Sequence, residues 1–492
     1  MRLLYVDVDT LRPDHLGCYG YPRDTSPNVD EVAAAGARFG EVYASDTPCL
    51  PSRSALITGR FGIHNGAINH GGTAADPFVE GAGRGFRTRN AREGWVGLMR
   101  SAGMRTATIS SFGERHSAYH WYAGFHDVHN VGLLGEETAD LVATVAIEWL
   151  ARHGREDDWF LHVHLWDPHT PYRTPASYGD PFAGAPLPGW LSEDVRARHW
   201  EVPGPHTAQE VLDPSMAERA GELGGLARQP LTVESMADVR RMFDGYDTGV
   251  RYADEHIGRI LNTLADLGVL DEAAVMISGD HGETLGELGV YCDHQTADYQ
   301  TTHLPMVIRW PGAGALTGGK VHGGLHYQID VAATILALLG VEVPASWDGV
   351  SFAAALDAGT GAGRDHLVLS TAAWTAQRAV RFAEWMCVRT YHDGYHGFPD
   401  VMLFDVAADP HEQTDRARSE PAAVDRALAL LCEWHAAAML RSDAGVDPLW
   451  TVLEEGGPWH VRGNRDRYLE TLRRTGRSAW ADRLAARHPP ER

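Results

Sequence analysis

The sequence of 492 residues predicts an α/β protein: a large, mostly parallel sheet flanked by helices, with a smaller C-terminal α+β domain. Three observations predict it. Apolar runs of strand length recur at residues 2–6, 159–165, 273–278 and 307–310. Stretches of helical period separate them, the alternation that builds parallel sheets. Three of the runs end in acids and histidines, and open α/β sheets bind ligands outside the carboxyl ends of their strands.

Taken in order, residues 2–6 form the first strand and run into Asp7-Val8-Asp9. Ser26-Pro27 opens a helix to Ala35, with the proline in the first turn and Gly36 as the stop. Residues 138–152 form a helix ahead of the strand at 159–165. That strand enters Asp167-Pro168-His169-Thr170-Pro171-Tyr172, where two prolines fix the loop and hold His169. His162 and His164 alternate with apolar neighbours, the pattern of one face of a half-buried strand. Residues 172–230 are rich in Pro, Gly, Trp and charge and are too long for a simple connection. They read as an insertion over the pocket, with Trp190 and Trp200 either as platforms for a sugar or aryl group or as packing within the excursion. A helix at 233–267 stops at Gly268, and the strand at 273–278 ends in Gly279-Asp280-His281-Gly282-Glu283. A helix at 330–339 closes the first region. Beyond Arg364, strand character at 379–391 and 402–406 and a helix at 422–439 mark a second region. The tail beyond Asp447 is Arg-rich and has helical character at 468–474. The domains are therefore 1–365, with an insertion at about 173–232, then 366–447, then the tail 448–492.

Composition narrows the function. A hydrophobic content of 44% is ample for a large core. The formal charge of −23 disfavours nonspecific nucleic-acid binding but permits an anionic small substrate in a locally positive pocket. Cys18, Cys49, Cys292, Cys387 and Cys432 are too few and scattered for a disulfide framework. No apolar run is long enough to span a bilayer, and the first strand starts too near Met1 for a cleaved leader. A cytoplasmic protein without membrane contact is expected. At the strand ends, Asp9 and the Asp280-His281 pair are placed to meet a ligand, with plain strand-to-loop turns or surface residues as the alternative; oxygen-rich sites suit calcium or magnesium, and an imidazole among the ligands admits manganese.

Cys49-Leu50-Pro51-Ser52-Arg53, with the trailing Thr58-Gly59-Arg60, resembles the Cys-x-Pro-Ser-Arg signature of the formylglycine-dependent sulfatases of the alkaline-phosphatase-like superfamily. Asp9 with Leu11-Arg12 and Gly17-Cys18-Tyr19-Gly20, the Asp280-His281 pair and the Asp-Pro-His-x-Pro-Tyr segment at His169 extend the likeness. It runs in order over roughly the first 440 residues. The resemblance implies that a formylglycine-generating enzyme oxidises Cys49 to an aldehyde residue. The hydrated aldehyde attacks sulfur with one hydroxyl, and the second hydroxyl then expels sulfate. It implies one divalent metal, Ca2+ first and Mn2+ or Mg2+ as alternatives, held by Asp9, Cys49, Asp280 and His281. Asp7 is a further candidate ligand, because the family's adjacent acidic pair is split here around Val8. Arg53 supports the formylglycine and the anion, a task for a guanidinium that stays charged at any working pH. His169 meets the sulfate or the leaving group. Tails like 448–492 serve subunit contacts in related hydrolases, which would make a homo-oligomer; a solvated, loosely docked tail is the equal alternative.

Two lysines that the family carries at the sulfate are missing. The single lysine, Lys320, lies in a Gly-rich loop suited to the surface. His294, and His116 or Arg115, stand where those lysines would fall. A histidine there titrates near neutrality, so it can act as general acid or, when charged, hold an anion. For His116 a solvent-facing loop position is the equal alternative, and His64, Asn69 and His70 are indistinguishable from loop residues. The expected substrate is a small-molecule or saccharide sulfate ester, a sulfated sugar ahead of an aryl sulfate. The rival reaction is phosphodiester or phosphonate monoester hydrolysis by the same nucleophile. The rival class is a noncatalytic anion-binding relative in which Cys49 stays a thiol.

Overall fold

The computed structural model describes residues 1–211, 228–359 and 363–490. The strands in chain order are β1 (Arg2–Val8), β2 (Ala37–Tyr43), β3 (Asp46–Thr47), β4 (Arg105–Ile109), β5 (Asp127–His129), β6 (Trp159–Leu165), β7 (Ala273–Gly279) and β8 (Thr284–Leu285). They continue with β9 (Tyr291–Asp293), β10 (His303–Arg309), β11 (Lys320–His322), β12 (His326–Tyr327), β13 (His366–Thr371), β14 (Ala376–Phe382), β15 (Trp385–His392) and β16 (Val401–Asp405). The main sheet has nine strands in the order β11-β2-β10-β7-β1-β6-β4-β5, with β12 also pairing with β2. Among these, β10 alone runs against the rest. The run at 307–310 is thus the end of an antiparallel strand in an otherwise parallel sheet.

β1 sits between β6 and β7, and all three are buried almost throughout, as strands covered on both faces must be. β1 also extends two residues past its purely apolar run, so Asp7 lies inside the strand and Asp9 is the first residue beyond it. Helices Pro27–Ala35, Ala139–His153, Met236–Asp266 and Gln328–Leu338 cover the sheet, and Ser235 with Asp238 forms a capping box on the longest. Among the described residues no helix is long and apolar enough to cross a membrane.

The second sheet has the order β16-β15-β14-β13-β3, and helix Pro421–Arg441 packs on it. The strand-like stretch 379–391 is in fact the end of β14 and most of β15, a hairpin turning at Ala383 with φ 44°. β3 is contributed by residues just before Cys49, so the two sheets meet beside that cysteine. The tail folds back as helices Pro448–Glu454, Arg465–Arg474 and Ser478–Arg487. Asp447 anchors it, accepting two 2.8 Å bonds from the buried guanidinium of Arg378. The tail is therefore docked on its own chain rather than held out as a free arm.

Candidate active site

Cys49 is the first residue of helix Cys49–Thr58, every residue of which is buried. A helix N-terminus favours negative charge, and Arg53 follows one turn later on the same face. The Cys49 Sγ lies 3.1 Å from His281 Nε2. Burial, reinforced by the charge of Asp9, pushes the Cys49 thiol up to about 12. A thiol so placed stays protonated at neutral pH and is a poor nucleophile.

Arg53 is the hub. Its Nε donates to Asp7 Oδ2 at 2.8 Å and its Nη1 to Asp9 Oδ2 at 3.0 Å, with Asp280 Oδ2 also on Nη1. Its Nη2 donates to His164 Nε2 at 2.7 Å, and His164 Nδ1 lies 3.0 Å from Ser110 Oγ at the end of β4. Burial, then the charge of Arg53, lowers His164 to about 4, so it is the neutral ring that such a donor requires.

Asp9, Cys49, Asp280 and His281 bring one ligand atom each within 4.8 Å of one another, and Cys49, His281 and His294 form an overlapping group. Three features fit this quartet to a divalent cation. Asp9 Oδ1 is buried without a hydrogen-bond partner. His281 Nδ1 donates to the Gly282 carbonyl at 2.8 Å, which leaves a lone pair on Nε2, and burial lowers this ring to about 3. Three buried carboxylates also share one guanidinium. Burial and the charges of Asp9 and Asp7 outweigh Arg53 and hold Asp280 well above the carboxylate range, a surplus of negative charge that a cation would relieve. Asp7 stands apart: it belongs to neither group, and its partners are Arg53 and, at 3.5 Å, His162.

His294 lies beside this cluster, its ring centroid 4.3 Å from that of His281 and 5.4 Å from that of His169. Burial opposes its charge, but Asp293, Cys49 and Glu283 outweigh it and raise the ring well above its ordinary value. Glu283 Oε2 is 3.2 Å from its Nδ1. His169 differs: its Nδ1 donates to the Thr170 carbonyl at 2.6 Å, and burial keeps the ring neutral. His116 is lowered by burial and by Arg115, and it lies against Phe112 and His70. Cys49, His116, His169 and His294 all open onto one cavity of about 970 Å³.

Several residues fall elsewhere than the sequence suggested. His162 and His164 sit on a strand buried on both faces, and His164 positions Arg53. The parallel register sets Asp7 of β1 beside His164 of β6, with Asp9 just beyond the strand, a pairing that the alternation of His162 and His164 alone does not reveal. Trp190 stacks on His411 at 4.4 Å and Trp200 packs against the core, so neither lines the cavity. Its tryptophans are Trp374 and Trp459, the latter from the tail. Asn464, Arg467, Tyr468, Thr471 and Arg474 of the tail line it too, as does His206 of the insertion. His64 is satisfied structurally by Asp348 and the Ala438 carbonyl. Lys320 is exposed and bonds the Gly314 carbonyl.

The sulfatase family profile matches residues 2–341, more than half of the chain. The chain belongs to the sulfatase family. Its members are sulfuric ester hydrolases of the alkaline-phosphatase-like superfamily. A second profile, that of the N-sulphoglucosamine sulphohydrolase C-terminal region, matches residues 286–428. An N-acetylglucosamine-6-O-sulfatase from Bacteroides thetaiotaomicron is 23% identical, over 84% of this chain and 82% of its own. A choline-sulfatase from Rhizobium meliloti is 25% identical, over 82% and 79%. Among solved structures, one in complex with its substrate D-glucosamine-2-N,6-O-disulfate superposes with a TM-score of 0.68 at 20% identity, covering 91% of this sulfatase and 99% of its own chain. A phosphonate monoester hydrolase from Silicibacter pomeroyi superposes with a TM-score of 0.65 at 19% identity, covering 90% and 96%.

Proposed function

We propose that this sulfatase hydrolyses sulfate esters of saccharides, with Cys49 converted to formylglycine by a formylglycine-generating enzyme. One observation carries the reading: a cysteine that is inert as a thiol heads a buried helix and faces an acid–histidine quartet, with a guanidinium one turn away. Such surroundings suit an oxygen nucleophile. Asp9, Asp280, His281 and the modified residue 49 would hold the divalent metal, Ca2+ by the oxygen-rich donor set, with Asp7 balancing Arg53 behind them. When bound, a cation of this kind neutralises sulfate charge and makes a bound hydroxyl a better nucleophile.

The residues then divide the work. Arg53 keeps the acids aimed and offsets part of their charge. His169 presents an unprotonated Nε2 that accepts a proton or a hydrogen bond. His294, whose charged form Asp293 favours, holds a sulfate oxygen and gives its proton to the departing alcohol. His116 and Arg115 border the sulfate from the side where the family carries lysine. A saccharide is favoured by the sugar sulfatase among the relatives and by a cavity near the upper end of the usual range of about 300–1,000 Å³.

A second reading, phosphonate monoester or phosphodiester hydrolysis, is favoured by the lack of lysine among the described cavity residues. Steady-state assays on 4-nitrophenyl sulfate, 4-nitrophenyl phenylphosphonate and bis(4-nitrophenyl) phosphate separate the two. The sulfate ester is expected to lead in kcat/KM by about a hundredfold or more. A reversed order selects the second reading.

A further inference from the structure

The cavity that begins at Cys49 is much larger than one sulfate requires, and its outer wall comes from the C-terminal tail. Arg467, Tyr468, Thr471 and Arg474 line it at the spacing of one helical face. Leu469 and Leu472, on the opposite face, pack with Tyr395, Ala481 and Leu484, which fixes the helix in this orientation. The loop before the helix is fixed as well. His460 stacks on Trp374 with centroids 4.4 Å apart, its backbone N–H donates to the Ala373 carbonyl at 3.0 Å, and its Nε2 lies 2.9 Å from His70 Nδ1.

The charges on this wall are unequal. Of the acids that face the cavity, Glu136 pairs with Arg173 at 3.1 Å, Glu210 with Arg477 at 2.8 Å and Asp293 with His206 at 3.1 Å. Asp76 is the remaining lining acid among the described residues. Against it stand Arg115, on the His116 side of the cavity, and Arg474, on the tail helix, neither of which forms an ion pair with a described residue. Arg467, which has an interaction of its own within the chain, lines the cavity two turns before Arg474 on the same helix. In a chain of net charge −23, that is a local reversal of sign.

We propose that the tail helix recognises a second acidic group on the substrate, so that the preferred substrate is a doubly anionic saccharide. This rests on the sulfatase reading above. The planar fork of arginine suits either a second sulfate or a uronate carboxylate. Trp459, 47% exposed, offers apolar surface beside which a sugar ring can pack, whereas Trp374 is covered by His460. A sulfate ester of a quaternary ammonium alcohol would meet the same guanidinium groups as repulsion. The tail thus completes the site of its own chain and sets its specificity.

The test is the Arg467→Gln/Arg474→Gln double variant, whose two positions are exposed and lie outside the core. The probes are a hexosamine with two sulfates, a sulfated uronic acid, a neutral hexose with one sulfate, and 4-nitrophenyl sulfate. The double variant is expected to raise KM about tenfold for whichever doubly anionic sugar the wild type prefers, at unchanged kcat. Both constants for 4-nitrophenyl sulfate should stay as in wild type. Titration calorimetry of the same sugars into Cys49→Ala, with and without the two glutamines, should show the same loss of preference. A wild type that does not distinguish one acidic group from two overturns the proposal, and so does a preference that survives in the double variant. If the wild type turns over no sulfate ester, the sulfatase reading fails, while the calorimetry still decides for or against the second anion site.

Discussion

His169, His281 and His294 lie within one cluster yet are set to different tasks by what their Nδ1 atoms meet. A backbone carbonyl fixes the tautomer of the first two and leaves them neutral. Glu283 faces the third, and against burial the charge of Asp293 raises that ring well above its ordinary value. Because the folded value of His294 is raised, its proton is in place below that value and lost as pH rises through it. Wild-type kcat should therefore fall on the alkaline side. His294→Gln should abolish that limb and lower kcat on sugar sulfates by about 10²- to 10³-fold, with a much smaller loss on 4-nitrophenyl sulfate, whose leaving group needs no acid. A pH–rate profile on both substrates checks this. Arg53→Lys keeps the charge, but one ammonium cannot serve Asp7, Asp9, Asp280 and His164 together. A loss of about a hundredfold or more in kcat/KM is expected from steady-state assays. At this scale Asp9, Asp280 and His281 were legible because each follows an apolar run. His164 was not, because alternation alone does not tell a strand buried on both faces from one half-buried. His116 was left open, since a short loop sequence does not say which side of it faces a cavity.

The helix that carries Cys49 is held at both ends. β3 runs into it from the second sheet, and Gly59 closes it in the left-handed region at φ 66°. A Cβ on Gly59 would come within 1.9 Å of the Trp347 ring, whose Nε1 bonds the Glu93 carbonyl and so cannot easily yield. Gly59→Ala should cost about 2 kcal/mol or more of stability, read as a lower urea midpoint with an unchanged slope. The main helices and the central strands were legible from apolar periodicity and from punctuation such as Gly36 and Gly268. Less legible were β2, where Arg38 and Glu41 interrupt the apolar pattern, and β14 and β15, whose turn has neither Asn-Gly nor Asp-Gly to mark it.

Across the whole molecule, the first loop, the segment after β8 and the second region are tied by buried charge. Arg12 donates to Asp14 at 2.7 Å and to Glu287 at 3.0 Å, and Glu287 also meets His411 at 3.0 Å. Burial alone would raise Glu287, but Arg12 and His411 hold it at about 2. A depressed carboxyl stabilises the fold above its unfolded value near 4.5, and this stabilisation disappears as pH falls through about 2. Glu287→Gln should cost about 3 kcal/mol at pH 7 in urea melts, and the gap to wild type should narrow below about pH 4.5. The divalent cation proposed at Asp9, Asp280 and His281 would be a second global link. Chelation should lower Tm, and Ca2+ at a hundred times its Kd should return about 2.7 kcal/mol, a shift that Asp9→Asn removes. The two-sheet architecture was legible from the order of apolar runs. The course of the tail into the active-site cavity was not, because an Arg-rich amphipathic helix fits a subunit contact, a solvated arm or a pocket wall equally well by sequence.

The central claim is the chemical state of residue 49. Peptide mass spectrometry across Cys49 should be run on protein from a host with a formylglycine-generating enzyme, alongside turnover of 4-nitrophenyl sulfate on the same preparation. The expected result is a peptide lighter by about 18 Da, in a fraction that tracks activity. An intact thiol in a preparation that hydrolyses the ester at full rate would contradict it.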